Sequence, residues 1–222
     1  MADSEKRCIT HICTSTEEGT LSKTLKALRE GKSVVFPTDT VYGVGCDLWQ
    51  SEAIARLYRA KRRPKEMPIP VLVSAPKYTH EVAQDVPLSF EKVVDQFWPG
   101  GLTLILPRRP AVPSILCAGG NTIAVRMPAH PWALELIEKA GGSLAVTSAN
   151  LSGRPAATTA QEALDDLKGR VSLVIDGGEC PGGMASTILD LTQDPPLILR
   201  TGPLGLHDLR EVLPRVRLCR LS

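Results

Sequence analysis

Polar side chains that suit ligand binding concentrate in a few short segments of this sequence. The first segment, residues 37–45, holds two hydroxyls, a carboxylate and a phenol on Thr38, Asp39, Thr40 and Tyr42. Such groups can line a polar pocket. They can equally satisfy the backbone of a turn, as Thr and Asp side chains often do. The spacing alone leaves both interpretations open.

The second segment is strongly basic. Six of the ten residues from 56 to 65 are basic and none is acidic; the six are Arg56, Arg59, Lys61, Arg62, Arg63 and Lys65. Ammonium and guanidinium groups suit phosphate and carboxylate ligands. Pro64 disfavours helix at the preceding residue, so we expect these side chains on a helix end or a loop. A solvated helix face is the alternative.

The third segment, residues 147–153, follows an apolar run and contains Ser148 and Asn150. Small donors and acceptors at a strand end can bind a ligand, but no adjacent base is present to activate a nucleophile. The chain has no Gly-x-Ser-x-Gly elbow, which argues against a serine hydrolase. It also has no Gly-x-x-x-x-Gly-Lys-Ser/Thr loop, which excludes a P-loop NTPase.

Single residues at other strand ends add to these segments. Arg126 ends an apolar run, where an unpaired buried charge would be costly, so a carboxylate side chain or an anionic ligand should lie beside it. Residues 177–183 are rich in glycine and could cradle a phosphate, although this signal is weak. His130, before Pro131, is expected to begin a helix and not to act as a catalytic base. Asp176 and Asp190 could hold a metal, but turn capping is the expected role.

Alternating strands and helices must position these segments. Apolar and β-branched runs predict strands at 33–36, 69–74, 102–106, 122–126, 144–148 and 171–175, and a hairpin of 187–191 with 197–200. Amphipathic patterns between several of them predict helices. We therefore predict a single-domain α/β protein with a mixed sheet. We expect residues 1–15 to be a flexible N-terminus and residues 16–222 to form the domain.

Composition excludes several classes of protein. The chain has 222 residues, of which 43% are hydrophobic and 23% charged, so it is neither disordered nor collagen-like. No apolar run approaches the ~20 residues of a membrane span, and no signal peptide is evident. The six cysteines and four histidines are scattered, so we expect no protein-held transition metal and a cytoplasmic location.

The net charge conceals an asymmetry along the chain. Lys and Arg number 26 against 24 Asp and Glu, which gives a formal charge of +2. Without the six basic residues of segment 56–65, 20 basic residues would face 24 acidic ones. A nearly neutral total argues against a broad nucleic-acid-binding surface.

Eight segments in chain order carry a resemblance to a known family. They are FPTDTVYGVG, KRRP, FWPGGLTLIL, TIAVRMPAHP, TSANLSG, VIDGG, GGMASTILDL and LILRTG. Each segment is a weak signal alone, but their order is specific, and they extend from about Gly31 to Gly202. The chain resembles the YrdC-like family of threonylcarbamoyl-adenylate synthases in its short, single-domain form. The Lys-x-Arg and Ser-x-Asn pairs of that family correspond to Lys61, Arg63, Ser148 and Asn150.

This resemblance implies a fold and a reaction. The fold would be a twisted mixed sheet with flanking helices and a deep, basic, concave cavity. The enzyme would be a nucleotidyltransferase that converts L-threonine, bicarbonate or carbon dioxide, and ATP into threonylcarbamoyl-AMP and pyrophosphate. A downstream transferase would use this product at position 37 of tRNA, with weak direct tRNA binding also conceivable. Mg²⁺ would arrive with ATP and need no protein cage.

The resemblance also implies roles for single residues. Lys61 and Arg63 would be catalytic, because a positive field must align two anionic reactants. The residues that would contact ATP are Lys61, Arg63, Met67, Thr122, Asn150, Thr158 and Arg200. The residues that would hold threonine are Thr38, Thr40, Tyr42, Arg126, Ser148 and Ser186.

Two other functions compete with this interpretation. An RNA-binding or ribosome-maturation module could use the basic segment 56–65, although only nine aromatic residues are present for base stacking. A carbamoyl-transfer domain acting on carbamoyl phosphate is the other, and the cysteines lack the zinc-finger spacing that accompanies such domains.

Overall fold

The computed structural model describes residues 8–219 of the chain. Within this range the strands are β1 (His11–Thr14), β2 (Val34–Phe36), β3 (Gly43–Cys46), β4 (Val71–Val73), β5 (Leu102–Pro107), β6 (Thr122–Arg126), β7 (Ser143–Ser148), β8 (Leu173–Asp176), β9 (Thr187–Asp190), β10 (Leu197–Arg200) and β11 (Arg217–Leu218). All eleven pair into one sheet.

The helices alternate with these strands. They are α1 (Thr20–Arg29), α2 (Ser51–Lys61), α3 (Thr79–Val82), α4 (Ser89–Phe97), α5 (Pro131–Lys139), α6 (Ala160–Leu167) and α7 (Leu206–Val212), with short 3₁₀ turns at Pro76–Tyr78 and Ser114–Cys117. No helix among residues 8–219 combines the length and apolar character that crossing a bilayer requires.

The sheet mixes parallel and antiparallel pairs. Its strand order is β1-β8-β2-β3-β7-β4-β6-β5-β9-β10-β11. The pairs β2–β3, β3–β7, β7–β4, β6–β5 and β9–β10 are antiparallel, and the other neighbours are parallel. This order brings β7, β4, β6, β5, β9 and β10 side by side, although their sequence positions run from 71 to 200.

Helices cover both faces of the sheet because the strand side chains alternate between them. Val34 and Phe36 pack with α1 and α5 on one face, while Val35 between them belongs to the larger core on the other. That larger core includes buried side chains of α2, α4, α6 and α7, among them Ile54 and Phe90. The mixed sheet with flanking helices confirms the predicted fold class.

One region in the interior of the sheet, on β6, β5 and β9, is less covered than the residues beside it. Ile105 of β5, Ala124 of β6 and Ile188 of β9 are only half-buried, whereas their strand neighbours are buried. Ile105 pairs with Ala124 in the antiparallel register, so these two share a face. We call the region marked by Ile105, Ala124 and Ile188 the open face. A half-buried centre in a wide sheet leaves room for a ligand.

The predicted boundary at residue 15 is wrong for the described residues. Residues 1–7 of the expected flexible N-terminus lie outside the described range, but His11–Thr14 forms β1 and pairs in parallel with β8. The strand was missed because HICT is short and mostly exposed, and its identity comes from a partner more than 150 residues away.

Most predicted elements are confirmed. The strands predicted from apolar runs correspond to β2, β4, β5, β6, β7 and β8, and the predicted hairpin is the antiparallel pair β9–β10. His130 is the N-cap of α5, where its Nδ1 accepts a hydrogen bond from the Ala133 amide. Asp176 and Asp190 accept hydrogen bonds from backbone amides two residues on, as expected of turn-capping residues.

Candidate functional site

Lys61 lies at the C-terminal end of α2 and is almost completely buried, at 1% exposed. Its Nζ donates a hydrogen bond to the backbone oxygen of Ser148, and the Ser152 amide donates to the Lys61 carbonyl at 2.9 Å. Burial, reinforced by the positive charge of Arg63, lowers the pKa of Lys61 to about 7, and Asp166 opposes this shift. A buried amine near neutrality can therefore gain or lose a proton when an anion binds.

Arg63 follows the end of α2 and is half-buried. Its Nε donates to the Met67 carbonyl at 3.0 Å, and its Nη2 donates to the Pro68 carbonyl at 2.9 Å. Burial lowers the pKa of this guanidinium. The Met67 carbonyl also accepts a hydrogen bond from Tyr58, so the predicted Met67 backbone contact already has two donors within the protein.

The basic segment divides into two groups in the structure. Lys61 and Arg63 turn toward the protein, whereas the exposed members are Arg56, Arg59, Arg62 and Lys65. The interpretation as a solvated helix face therefore holds for Arg56 and Arg59, while Arg62 and Lys65 are exposed beyond the end of α2. It does not hold for the two residues that the resemblance assigned to catalysis.

The Ser-x-Asn loop follows β7 and is fixed by its own side chains. Asn150 is 6% exposed, and its Nδ2 donates to the carbonyls of Leu151 and Arg154, both at 2.8 Å. Its Oδ1 is buried without a hydrogen-bond partner among residues 8–219. An unsatisfied buried acceptor is costly, which makes this atom a candidate ligand contact.

The loop between β2 and β3 forms the next part of the site. Thr38 and Thr40 are buried, and their hydroxyl oxygens lie 3.1 Å apart. The Thr38 hydroxyl also donates to the Val41 carbonyl at 2.7 Å, which closes the turn. This contact matches the turn interpretation of the segment, yet the same turn presents Thr40 to Arg126.

Arg126 ends β6 and pairs with Asp39 of that loop. Its Nη2 lies 2.5 Å from Asp39 Oδ1, and the two side chains are 8% and 14% exposed. Its Nη1 donates to the Thr40 hydroxyl and its Nε to the Gly100 carbonyl, both at 2.8 Å. Burial lowers the pKa of Arg126, and Asp39 opposes that shift. The carboxylate expected beside Arg126 is therefore supplied by the protein itself.

A second guanidinium lies close to the first. Arg200 ends β10, and its Nε and Nη2 donate to the Ser186 carbonyl at 3.0 and 2.8 Å. Burial and the positive charge of Arg126 lower the pKa of Arg200. Ser186 itself is hydrogen-bonded to Thr103 of β5, with 2.7 Å between the hydroxyl oxygens. Only one carboxylate of residues 8–219 is ion-paired with these two arginines, which favours an anionic ligand beside them.

Tyr42 connects the first loop to the glycine-rich segment. Its hydroxyl donates to the Gly178 carbonyl at 2.6 Å and accepts from the Gly177 amide at 3.2 Å. The residue has no exposed surface, and burial raises the pKa of its phenol to about 12. Tyr42 therefore holds the glycine-rich segment in place as a neutral phenol, and direct contact with a ligand stays a prediction.

The glycine-rich segment packs directly on the first loop. A Cβ atom at Gly182 would lie 2.6 Å from the Asp39 carbonyl and 2.9 Å from the Thr40 Cα, so only glycine fits without displacement. The Cys180 amide donates to the Thr158 carbonyl at 2.9 Å. The Thr158 hydroxyl donates a hydrogen bond to the Glu162 carboxylate at the start of α6, at 3.1 Å. Thr158 thus lies between α6 and the glycine-rich segment.

Thr122 is the predicted site residue that stands apart. It begins β6, four residues before Arg126, and is exposed. Residues i and i+4 of a strand share a face, so Thr122 and Arg126 lie on the same side of the sheet at opposite ends of the strand. The contact of Thr122 with a nucleotide stays a prediction.

Three residues in direct contact with the site were not predicted. Asp39 was noted only as a member of its loop, although it pairs with Arg126. Thr103 is a hydroxyl within an otherwise apolar strand, which is the one signal that could have revealed it. Asp166 accepts hydrogen bonds from the Ser-x-Asn loop, and its position on an acidic helix gave no signal at all.

Comparisons with known proteins show the family to which the chain belongs. A family described as telomere recombination, Sua5/YciO/YrdC, matches residues 26–202. The threonylcarbamoyl-AMP synthase of Pyrococcus abyssi is 41% identical over 191 residues, which are 86% of this chain and 56% of that protein. The threonylcarbamoyl-AMP synthase of Bacillus subtilis is 38% identical over 200 residues, which are 90% of this chain and 58% of that protein.

A solved structure extends the comparison to the fold. The crystal structure of P. abyssi Sua5 complexed with L-threonine superposes with a TM-score of 0.89 at 39% identity, covering 96% of this chain and 62% of that one. The chain thus spans less than two thirds of the length of these relatives. The resemblance found in the sequence motifs is confirmed, and the chain belongs to the Sua5/YciO/YrdC family.

Proposed function

We propose that this chain synthesises threonylcarbamoyl-AMP from L-threonine, bicarbonate and ATP, with release of pyrophosphate. One observation carries the proposal: among residues 8–219, the only carboxylate that is ion-paired with Lys61, Arg63, Arg126 or Arg200 is Asp39, which pairs with Arg126. The reaction joins two anionic reactants, so such a site would be matched to it. The names of the curated relatives support the same activity.

Charge neutralisation and alignment are the main tasks of the protein in this reaction. Bicarbonate takes up a proton and loses water to give carbon dioxide. The threonine amine adds to this carbon dioxide, forms an N–C bond and loses a proton to give a carbamate. A carbamate oxygen then attacks the α-phosphorus of ATP, and the α–β phosphoanhydride bond breaks as pyrophosphate leaves. Lys61 and Arg63 would stabilise the negative charge on the phosphates. The unsatisfied Asn150 Oδ1 would accept a hydrogen bond from a donor group of the nucleotide.

Threonine would bind at the arginine pair. Arg126 donates to Asp39, Thr40 and Gly100, which uses three of its five N–H groups, so two remain for a substrate carboxylate. Thr40 and Ser186 provide hydroxyls beside it. The complex of P. abyssi Sua5 with L-threonine supports threonine as the amino acid. The open face next to these residues would then be the predicted basic cavity.

Mg²⁺ enters the proposal as the ion carried by ATP. Among residues 8–219 no three His, Cys, Asp or Glu side chains form a group that could hold a metal. A hard cation held by phosphate oxygens and water fits this donor set, since it needs no protein cage. When bound, it would neutralise part of the phosphate charge, while Lys61 and Arg63 hold the remaining oxygens.

Pyrophosphate release tests the proposal. Purified protein with ATP, Mg²⁺, bicarbonate and L-threonine should release pyrophosphate, and omission of threonine should stop it. Release without threonine, or no release with all four components, would contradict the proposed activity. The protein would work in the cytoplasm, where a downstream transferase would pass the product to tRNA.

Direct RNA binding is the second candidate function. Four basic residues of segment 56–65 remain exposed, and such a patch could contact phosphates weakly and in a salt-dependent manner. Retention of tRNA at physiological salt by a protein that releases no pyrophosphate would favour this candidate over the synthase.

A further inference from the structure

Asp166 is a half-buried carboxylate of α6 that contacts the Ser-x-Asn loop. Its side chain is 12% exposed, while that of its ion-pair partner Arg154 is 62% exposed. The neighbouring carboxylate, Asp165, is exposed and accepts a hydrogen bond only from Gln161 of the same helix among residues 8–219. Two adjacent aspartates therefore have different environments, and only one of them contacts the loop.

The contacts of Asp166 fix the loop at its centre. Its Oδ2 accepts a hydrogen bond from the Leu151 amide at 2.9 Å, and its Oδ1 accepts from Arg154 Nη1 at 2.6 Å. Leu151 directly follows Asn150, whose side chain donates to the Leu151 and Arg154 carbonyls. Leu151 and Arg154 are thus each hydrogen-bonded to both Asp166 and Asn150.

The loop is also the surface against which Lys61 is buried. Lys61 donates to the Ser148 carbonyl, and the Ser152 amide donates to the Lys61 carbonyl. The charged groups that act on the Lys61 amine are Arg63, which disfavours the ammonium form, and Asp166, which favours it. Arg154 is occupied in its ion pair with Asp166.

We propose that Asp166 is a positioning residue for the synthase reaction: it fixes the loop that carries Ser148 and Asn150. Its negative charge also favours the ammonium form of Lys61, which donates a hydrogen bond to that loop. This inference rests on the proposed function. In the proposed reaction, Asp166 contacts neither ATP nor threonine. It acts through the loop backbone and through the charge state of Lys61.

Hydrogen exchange tests the contact with the loop. Asp166→Ala removes both acceptors, so the Leu151 amide should exchange about tenfold faster or more than in the wild type, as the loss of a charged hydrogen bond predicts. Asp165→Ala is the matched control and should leave this amide unchanged. Equal exchange in the two variants would overturn the positioning role.

A lysine titration tests the effect on charge. Asp166→Asn keeps the shape and one acceptor but removes the charge, so the pKa of Lys61, followed by NMR of ¹³C-labelled lysine, should move lower than in Asp165→Asn. The Lys61 signal is identified by its absence in Lys61→Arg. An unchanged Lys61 titration in Asp166→Asn would overturn the electrostatic part of the inference.

Activity then separates this inference from the function on which it rests. If the wild type releases pyrophosphate with threonine, the alkaline limb of its pH profile should move to lower pH in Asp166→Asn but not in Asp165→Asn. An unmoved limb would overturn the role of Asp166 in the reaction. If the wild type shows no threonine-dependent release, the proposed function fails, and the role in the reaction fails with it. The exchange and titration experiments would still decide whether Asp166 fixes the loop and the charge of Lys61.

Discussion

Arg62 and Arg63 are adjacent arginines with different surroundings. Arg62 is exposed, whereas Arg63 is half-buried and donates to the Met67 and Pro68 carbonyls. We predict that Arg63→Ala lowers kcat/KM for ATP at least about 100-fold, because a charge-assisted phosphate contact is lost. Arg62→Ala removes the same charge from the surface and should keep near-normal kinetics. Equal losses in both variants would show that overall charge, and not Arg63, matters.

The depressed pKa of Lys61 predicts proton uptake on ATP binding. At pH 8 the amine is mostly neutral in the free protein, because its pKa is about 7. Phosphate favours the ammonium form and raises this pKa, so up to about one proton should be taken up per ATP bound, and ATP affinity should fall as the pH rises above 7. Calorimetry in buffers of different ionisation enthalpy measures the uptake. Lys61→Arg, which stays charged, should show none; uptake retained in that variant would assign the proton to another group.

The Asp39–Arg126 pair makes a prediction about stability. Asp39→Ala leaves the Arg126 guanidinium buried without a carboxylate, which should lower the free energy of unfolding by about 3 kcal/mol, as for other broken buried ion pairs. Urea unfolding measures the change. Glu17→Ala removes an exposed ion pair with Lys23 and should have little effect. A similarly small effect of Asp39→Ala would mean that the pair does not hold the loop.

At the scale of elements, Thr187 fixes the turn that follows Arg200. Its buried hydroxyl accepts from the amides of Gly202 and Leu204, at 2.9 and 3.0 Å, and donates to the Leu204 carbonyl. A Cβ at Gly202 would lie 2.3 Å from the Ala185 carbonyl, so the turn packs tightly beside Ser186. The hairpin and the turn therefore place Ser186 and Arg200 together.

Loss of the Thr187 hydroxyl should change the position of Arg200 in the site. Thr187→Val keeps the shape but leaves backbone groups unpaired, so we expect a loss of about 2 kcal/mol in the free energy of unfolding and a higher KM for ATP, since Arg200 shifts. Urea unfolding and steady-state kinetics measure the two effects. Thr201→Val, in the same turn but exposed, is the control. Kinetics unchanged in Thr187→Val would show that the turn does not position Arg200.

Sequence patterns predicted the helices and strands better than the contacts between them. Apolar runs identified the buried strands, because such patterns are local. The strand β3 was missed because GVGC contains two glycines and gains its identity only from pairing with β2 and β7. Likewise, Asp39 and Arg126 are 87 residues apart, and Thr103 and Ser186 are 83 apart. Pairings of this range depend on strand order, which no local pattern contains.

At the scale of the whole molecule, strand order and direction place the site residues. Arg126 ends β6 and Arg200 ends β10, which run in the same direction, so both lie toward one edge of the sheet. Ser148 ends β7, which runs the opposite way in the same part of the sheet, so it lies toward the other edge. The formal charge of +2 is uninformative because Lys61 and Arg126 are buried and Arg63 is half-buried, while the other basic residues of segment 56–65 point to solvent. The position of charge, and not its total, is therefore matched to anionic reactants.

The proposed reaction is tested most directly by following the carbon of bicarbonate. With ¹³C-bicarbonate, ATP, Mg²⁺ and L-threonine, mass spectrometry should detect an adenylate that contains threonine and one heavy carbon, formed in equal amount to pyrophosphate. Arg63→Ala should abolish this product and Arg62→Ala should not. An adenylate without the label, or pyrophosphate without any threonine-containing nucleotide, would contradict the proposal that this chain makes threonylcarbamoyl-AMP.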